Sequence, residues 1–127
     1  MRVLIVEDEF LVAIDLASIV ESIGHEVVGP VQSARSAIDL ARIRPVDVAL
    51  LDVNLGTDTA APVADVLDKQ GVPYAIVTAY RREHLARRFQ DTAHIPKPIR
   101  PADILAALKD LQSRLQTNAL ARRGTQS

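Results

Sequence analysis

Five short β-favouring runs, each followed by a stretch with helical spacing, constrain this chain's fold more than any other feature. The runs are Val3–Val6, Glu26–Val31, Val46–Leu51, Tyr74–Val77 and Ala93–Ile95. Val3–Val6 is aliphatic throughout, as suits a strand covered on both faces. Ala13, Leu16, Ala17, Val20 and Ile23 then recur at helical spacing, and Gly24 stands where a helix ends on a left-handed residue. Ser33 is placed to cap a helix carrying Ala37, Ile38 and Ala41, which must stop before Pro45. Pro62 opens a third helix with Val63, Val66 and Leu67 inward, closed by Gly71. Arg81–Phe89 is expected to form a polar helix, and Pro101 to start a last one with Ile104, Leu105, Leu108, Leu111 and Leu115 on its buried stripe.

Five βα units in 127 residues predict one α/β domain, a parallel sheet with helices on both faces. Two strand orders stay open at this point, the flavodoxin-like 2-1-3-4-5 and a Rossmann-type order. With two Phe, two Tyr and no Trp, the core has to be built from Ala, Val, Leu and Ile. The balance of 48% hydrophobic and 24% charged residues excludes wholesale disorder. No apolar run approaches the roughly 18 residues of a spanning helix. Glu7 and Asp8 arrive too early for a signal peptide, so a cytoplasmic location without membrane contact is expected. The absence of Cys excludes a disulfide framework, a zinc-thiolate site and a thiol nucleophile.

All 16 acidic residues precede position 114, after which come Arg114, Arg122 and Arg123. Residues 1–113 are therefore expected to form the domain, and 114–127 the end of the last helix and a basic, frayed tail, with no room for an output domain. A mildly acidic body lacks the basic face of a nucleic-acid binder.

In an open α/β sheet the ligand site lies outside the carboxyl ends of the strands. Glu7, Asp8 and Glu9 follow the first run; Asp52, Val53 and Asn54 the third; Thr78, Ala79 and Tyr80 the fourth; and Pro96, Lys97 and Pro98 the fifth. In the 2-1-3-4-5 order these groups converge. Crowded carboxylates repel one another and call for a cation, and an all-oxygen set without His or Cys favours a hard ion such as Mg²⁺. Lys97 adds a fixed positive charge and Thr78 a hydroxyl. Together they describe a pocket for a phosphoryl group around Asp52 as nucleophile.

Other chemistry is disfavoured. No G-x-G-x-x-G, G-x-x-x-x-G-K-[ST] or G-x-S-x-G pattern occurs. His25-Glu26-Val27-Val28-Gly29 starts like a zinc-protease helix, but Gly29 stands in place of the second His and the stretch reads as a strand. His84 belongs to an arginine-rich stretch that reads as a solvated helix, with a partner-docking face of its four arginines as the less favoured alternative. An aspartyl-phosphate phosphatase would carry its Asp after a first strand and needs space for a cap domain, and neither applies here.

The motifs Val6-Glu7-Asp8-Glu9, Leu51-Asp52-Val53-Asn54-Leu55, Val77-Thr78-Ala79 and Pro96-Lys97-Pro98 resemble those of receiver domains of two-component response regulators, over about residues 1–113. The resemblance implies a flavodoxin-like (βα)5 sheet in the order 2-1-3-4-5. It makes Asp52 the phosphoacceptor and gives the Mg²⁺ ligands as Asp8, Asp52, the backbone carbonyl of Asn54 and, largely through water, Glu7. Thr78 and Lys97 match the residues that contact the phosphoryl oxygens, and Lys97-Pro98 matches a bond that is often cis in receivers.

Val72-Pro73-Tyr74-Ala75-Ile76-Val77-Thr78-Ala79-Tyr80, together with Asp52-Val53-Asn54-Leu55-Gly56, is similar to the FAT GUY group of receivers. Ala79 replaces that group's Gly and stays small. His94 stands where an aromatic switch residue is usual, which leaves Tyr80 as a substitute switch or a shield of the pocket. The function implied is a single-domain phosphorelay protein, not an enzyme beyond its own phosphotransfer and dephosphorylation. Its phosphoryl group would come from a histidine kinase or histidine phosphotransfer protein, and it would switch protein–protein contacts. A homodimer stays open, as does a competing class, a receiver-fold scaffold that works without phosphorylation.

Overall fold

The computed structural model describes residues 1–55 and 58–125. Five parallel strands form the central sheet: β1 (Arg2–Val6), β2 (Glu26–Val31), β3 (Val48–Asp52), β6 (Tyr74–Thr78) and β7 (Ala93–Pro96). Their spatial order is β2-β1-β3-β6-β7, which in terms of the five runs is 2-1-3-4-5, the flavodoxin-like arrangement. A two-residue antiparallel pair, β4 (Asn54–Leu55) with β5 (Asp58–Thr59), stands beyond β3 in a stretch expected to be loop. Gly56, part of the FAT GUY resemblance, lies outside the described residues.

Four α-helices cover the sheet among the described residues: α1 (Phe10–Ser22), α2 (Ala34–Ile43), α3 (Ala61–Gln70) and α4 (Pro101–Thr125). Their ends follow local chemistry. Ser33 Oγ accepts the Ser36 N–H at 3.1 Å and caps α2, while Gly71 closes α3 at φ 70°. Among the described residues no helix is long and apolar enough to cross a membrane.

The period-2 alternation of buried strands divides the core in two. Val3, Ile5, Val48, Leu50, Ala75, Val77 and Ile95 face Leu16 and Val20 of α1 and Ile104, Leu108 and Leu111 of α4. Leu4, Val6, Ala49, Leu51 and Ile76 face Ala37 and Ala41 of α2 and Val63 and Leu67 of α3, with Leu85 and Phe89 closing that side.

The structure corrects one element. Arg81–Phe89 is not a helix but two 3₁₀ turns, Arg82–His84 and Arg87–Phe89, separated by an extended Leu85 and by Ala86. Only Leu85 and Phe89 are buried there, too few for an apolar stripe that would hold a helix against the sheet. Arginines hold the segment instead. Arg82 Nη1 donates to the carbonyls of Gln90 and Thr92 at 2.6 and 3.0 Å, and Arg88 reaches Asp65 and Asp68 of α3 at 2.8 and 3.2 Å.

At the other end, the α4 backbone stays helical through residues 114–125, the stretch assigned to a helix end and frayed tail. Its packing against the core stops at Leu111 and Leu115.

Candidate phosphoacceptor site

The sheet order decides the site. β1, β3, β6 and β7 are consecutive, so the residues after their carboxyl ends come together. Asp8, Glu9, Asp52, Asn54, Thr78, Ala79, Tyr80 and Lys97 line a pocket of about 370 Å³. Glu7 lies fully buried beneath it. Each residue is held by the backbone of its strand end. The Glu7 N–H donates to the Val31 carbonyl at 2.9 Å and the Lys97 N–H to the Thr78 carbonyl at 2.9 Å. The Asn54 N–H donates to Asp52 Oδ1 at 3.1 Å, which fixes the carboxylate's rotation.

Carboxylate oxygens of Glu7, Asp8 and Asp52 all lie within 4.8 Å of one another. Burial of Asp52 and the neighbouring Glu7 and Asp8 carboxylates push its pKa up to about 8, against the opposing Asn54 N–H. The cluster therefore favours either a proton or a cation. Lys97 Nζ partly answers it, at 2.8 Å from Glu7 Oε1, 3.4 Å from Glu9 Oε1 and 3.5 Å from Asp52 Oδ2. Desolvation works against the Lys97 ammonium, but Glu7, Asp52 and Glu9 outweigh it and raise its pKa, so it stays charged. The short Lys97–Glu7 contact pairs the ammonium with the fully buried Glu7 carboxylate. Three carboxylates within reach of one ion, with no His or Cys among them, make a donor set that fits a hard divalent cation.

The far wall is neutral. Thr78 is buried, and its Oγ1 accepts the Tyr80 N–H at 3.0 Å. The Tyr80 hydroxyl accepts from Asn54 Nδ2 at 3.2 Å, linking the loop after β3 to the loop after β6 across the pocket edge. Ala79 adds little bulk between them. The Lys97-Pro98 bond is cis, as is Gly29-Pro30, which the sequence did not point to.

Glu7, Asp8, Asp52, Asn54, Thr78, Tyr80 and Lys97 thus meet at one place, and His94 does not. It lies within β7 opposite Ile76, and its Nε2 is buried without a hydrogen-bond partner among the described residues. Glu9 also lines the pocket, and its place after the first strand did not by itself mark it as a partner of Lys97. It occupies the N-cap position of α1 without capping it, and its carboxylate turns to Lys97 instead. The signal was present as the third acid of Glu7-Asp8-Glu9, but Lys97 is 88 residues away in the chain and only the fold brings it near.

The family model for the response regulator receiver domain matches residues 3–109. The transcriptional regulatory protein PdtaR of Mycobacterium tuberculosis is 32% identical over 122 residues, covering 91% of this chain and 58% of PdtaR. The crystal structure of the response regulator PhyR from Brucella abortus superposes with a TM-score of 0.87 at 28% identity, covering 98% of this chain and 52% of PhyR. The solution structure of the BeF3-activated conformation of SdrG from Pseudomonas melonis Fr1 gives a TM-score of 0.76 at 32% identity, covering 85% of this chain and 92% of SdrG. This chain therefore spans little more than half the length of PdtaR and PhyR, but most of the SdrG chain.

Proposed function

The chain belongs to the response regulator receiver family, and from that premise we propose that it accepts a phosphoryl group on Asp52 and switches its protein contacts in response. The observation that carries this reading is the meeting of Glu7, Asp8, Asp52, Thr78 and Lys97 at the carboxyl end of the sheet. In the transfer, an Asp52 carboxylate oxygen attacks phosphorus, a new O–P bond forms, and the P–N bond to the donor's imidazole breaks. Transfer of this kind needs positioning and charge stabilisation more than covalent help.

Glu7, Asp8, Asp52 and the Asn54 backbone carbonyl would hold Mg²⁺, which when bound supplies positive charge against the carboxylates and the incoming phosphoryl oxygens. The Asn54 N–H orients Asp52, and the Lys97 ammonium and Thr78 hydroxyl are the protein's own donors to those oxygens. Thr78 also accepts the Tyr80 N–H, so a displaced hydroxyl carries the start of the 80–92 segment with it.

The donor is a phosphohistidine on a histidine kinase or phosphotransfer protein. Phe10, Leu11 and Ile14, directly after the acidic run, expose 65%, 75% and 45% of their surface and supply an apolar landing face for it. We assign the protein to the cytoplasm, where such donors act, with no catalytic activity beyond its own phosphotransfer and dephosphorylation.

Incubation with acetyl phosphate and Mg²⁺ should add a mass of about 80 Da, one HPO₃ group. Asp52→Asn should abolish the gain, and excess EDTA should suppress it. No gain from acetyl phosphate or from a phosphohistidine protein would leave a scaffold that works without phosphorylation.

A further inference from the structure

We propose that the Gly29-Pro30 bulge of β2 is a positioning element for Glu7, setting the backbone of the buried acid from a strand that contributes no side chain to the pocket. The inference rests on the phosphoacceptor reading and extends it to the edge of the sheet.

β1 and β2 pair in register from Arg2 opposite Glu26 to Leu4 opposite Val28, and the next pair is Val6 opposite Val31. One residue of β1 therefore faces two of β2, Gly29 and Pro30. Such an extra residue twists a strand and re-aims the residues beyond it. The residue beyond this bulge is Val31, whose carbonyl accepts the Glu7 N–H at 2.9 Å, one residue past the end of β1. The bulge lets the edge strand reach the first residue of the acidic run.

Only glycine fits the turn. Gly29 has φ +97°, and a Cβ there would lie 2.9 Å from the Val31 nitrogen and 3.2 Å from the Ile5 carbonyl oxygen. Both are backbone atoms and cannot swing aside, so a side chain at 29 must push Val31 and β1 apart. The Glu7 N–H would lose its acceptor's position.

Glu7 has little freedom to absorb such a shift. It is fully buried, its Oε1 sits 2.8 Å from Lys97 Nζ, and its Oε2 accepts the Glu9 N–H at 3.4 Å. Groups that orient metal ligands commonly change affinity 10–100-fold when lost.

Gly24 supplies the control. It has nearly the same backbone angle, φ +98°, but an added Cβ would meet nothing within 4 Å. Gly24→Ala therefore imposes a comparable backbone penalty with no route to Glu7.

The test compares the full chain with Gly29→Ala and Gly24→Ala, measuring Mg²⁺ affinity by NMR titration and hydrogen exchange at the Glu7 amide. Gly29→Ala should weaken Mg²⁺ binding about tenfold and speed exchange at Glu7. Its acetyl phosphate reaction should recover at saturating Mg²⁺. Gly24→Ala should hold Mg²⁺ affinity within about twofold, since it touches no ligand. By reciprocity, Mg²⁺ added to the unaltered protein should slow exchange at the Glu7 amide, a readout that needs no variant to fold. A Gly29→Ala protein that binds Mg²⁺ like Gly24→Ala would overturn the proposal, as would a Glu7 amide indifferent to Mg²⁺. If the unaltered protein binds no Mg²⁺ at millimolar concentration, the metal-site reading itself fails, and the bulge proposal with it.

Discussion

The two faces of the sheet are built differently. On one, α1 and α4 lay continuous apolar stripes over Val3, Ile5, Leu50 and Val77. On the other, α2 and α3 cover only part of the surface, and the side beside Ile76 is closed by the irregular 80–92 segment. That segment has two buried anchors, Leu85 and Phe89, and otherwise depends on arginine contacts. Asp65 and Asp68, which receive Arg88, are largely exposed, and ion pairs of that kind contribute about 0.2–1 kcal/mol. The first face is held by packing and should unfold only with the whole molecule. The second can open locally, and it starts at Thr78 and Tyr80 on the pocket wall. A phosphoryl group binding at the pocket would act on the part of the fold that costs least to move.

The largest test sets one leucine of each face against the other. Leu108→Ala empties a fully buried site between α4 and the sheet and should cost about 2–5 kcal/mol in global stability, measured by urea unfolding. Leu85→Ala should cost about 1–2 kcal/mol, because its surroundings can collapse, and should show first as faster amide exchange over residues 82–92. Equal global losses from both variants would break the comparison.

A smaller effect concerns charge in the pocket between the faces. The Asp52 carboxyl is pushed up from its ordinary 3.8 to about 8 by burial, with Glu7 and Asp8 adding to it. A raised folded pKa means that the unfolded chain releases this proton first, so stability without divalent cation should fall as pH rises between roughly 4 and 8 and then level off. Asp52→Asn should flatten that slope and stabilise the cation-free protein at pH 8 by about 1–2 kcal/mol, as relief of like-charge crowding does. A flat profile in the unaltered protein would show that the carboxylates are balanced without a cation.

The smallest effect should be at Tyr80, half-exposed and joined to Asn54 by one hydrogen bond. Tyr80→Phe should leave stability within about 0.5 kcal/mol. If Tyr80 is a switch, this variant should weaken phosphate-dependent partner binding; if a shield, it should change only the phosphate lifetime. An unchanged lifetime together with unchanged binding would leave the Asn54 link without a role.

The features legible in the sequence were local. Ser33, Gly71 and Pro101 mark helix ends because capping and backbone conformation depend on neighbours in the chain. The aliphatic run Val3–Val6 shows that both faces of its strand are covered, and the acids and Lys97 stand out by coming directly after such runs. Arg81–Phe89 misled because its composition tolerates a helix, while the deciding partners, Asp65 and Asp68 of α3 and the Gln90 and Thr92 carbonyls, are supplied by the fold. The Gly29 bulge was hidden for the same reason, since register exists only between two strands.

By itself the sequence determined the five strands of the central sheet, the helices that cover it apart from the 81–89 stretch, and the polar residues that follow each site strand, since backbone propensity and hydrophobic period act over a few residues. Only the tertiary structure decided which strand ends are neighbours, that Glu9 reaches Lys97, that His94 stays out of the pocket and that Val31 holds Glu7. Those outcomes depend on distances between residues far apart in the chain, where packing and electrostatics act through space and leave no local signature.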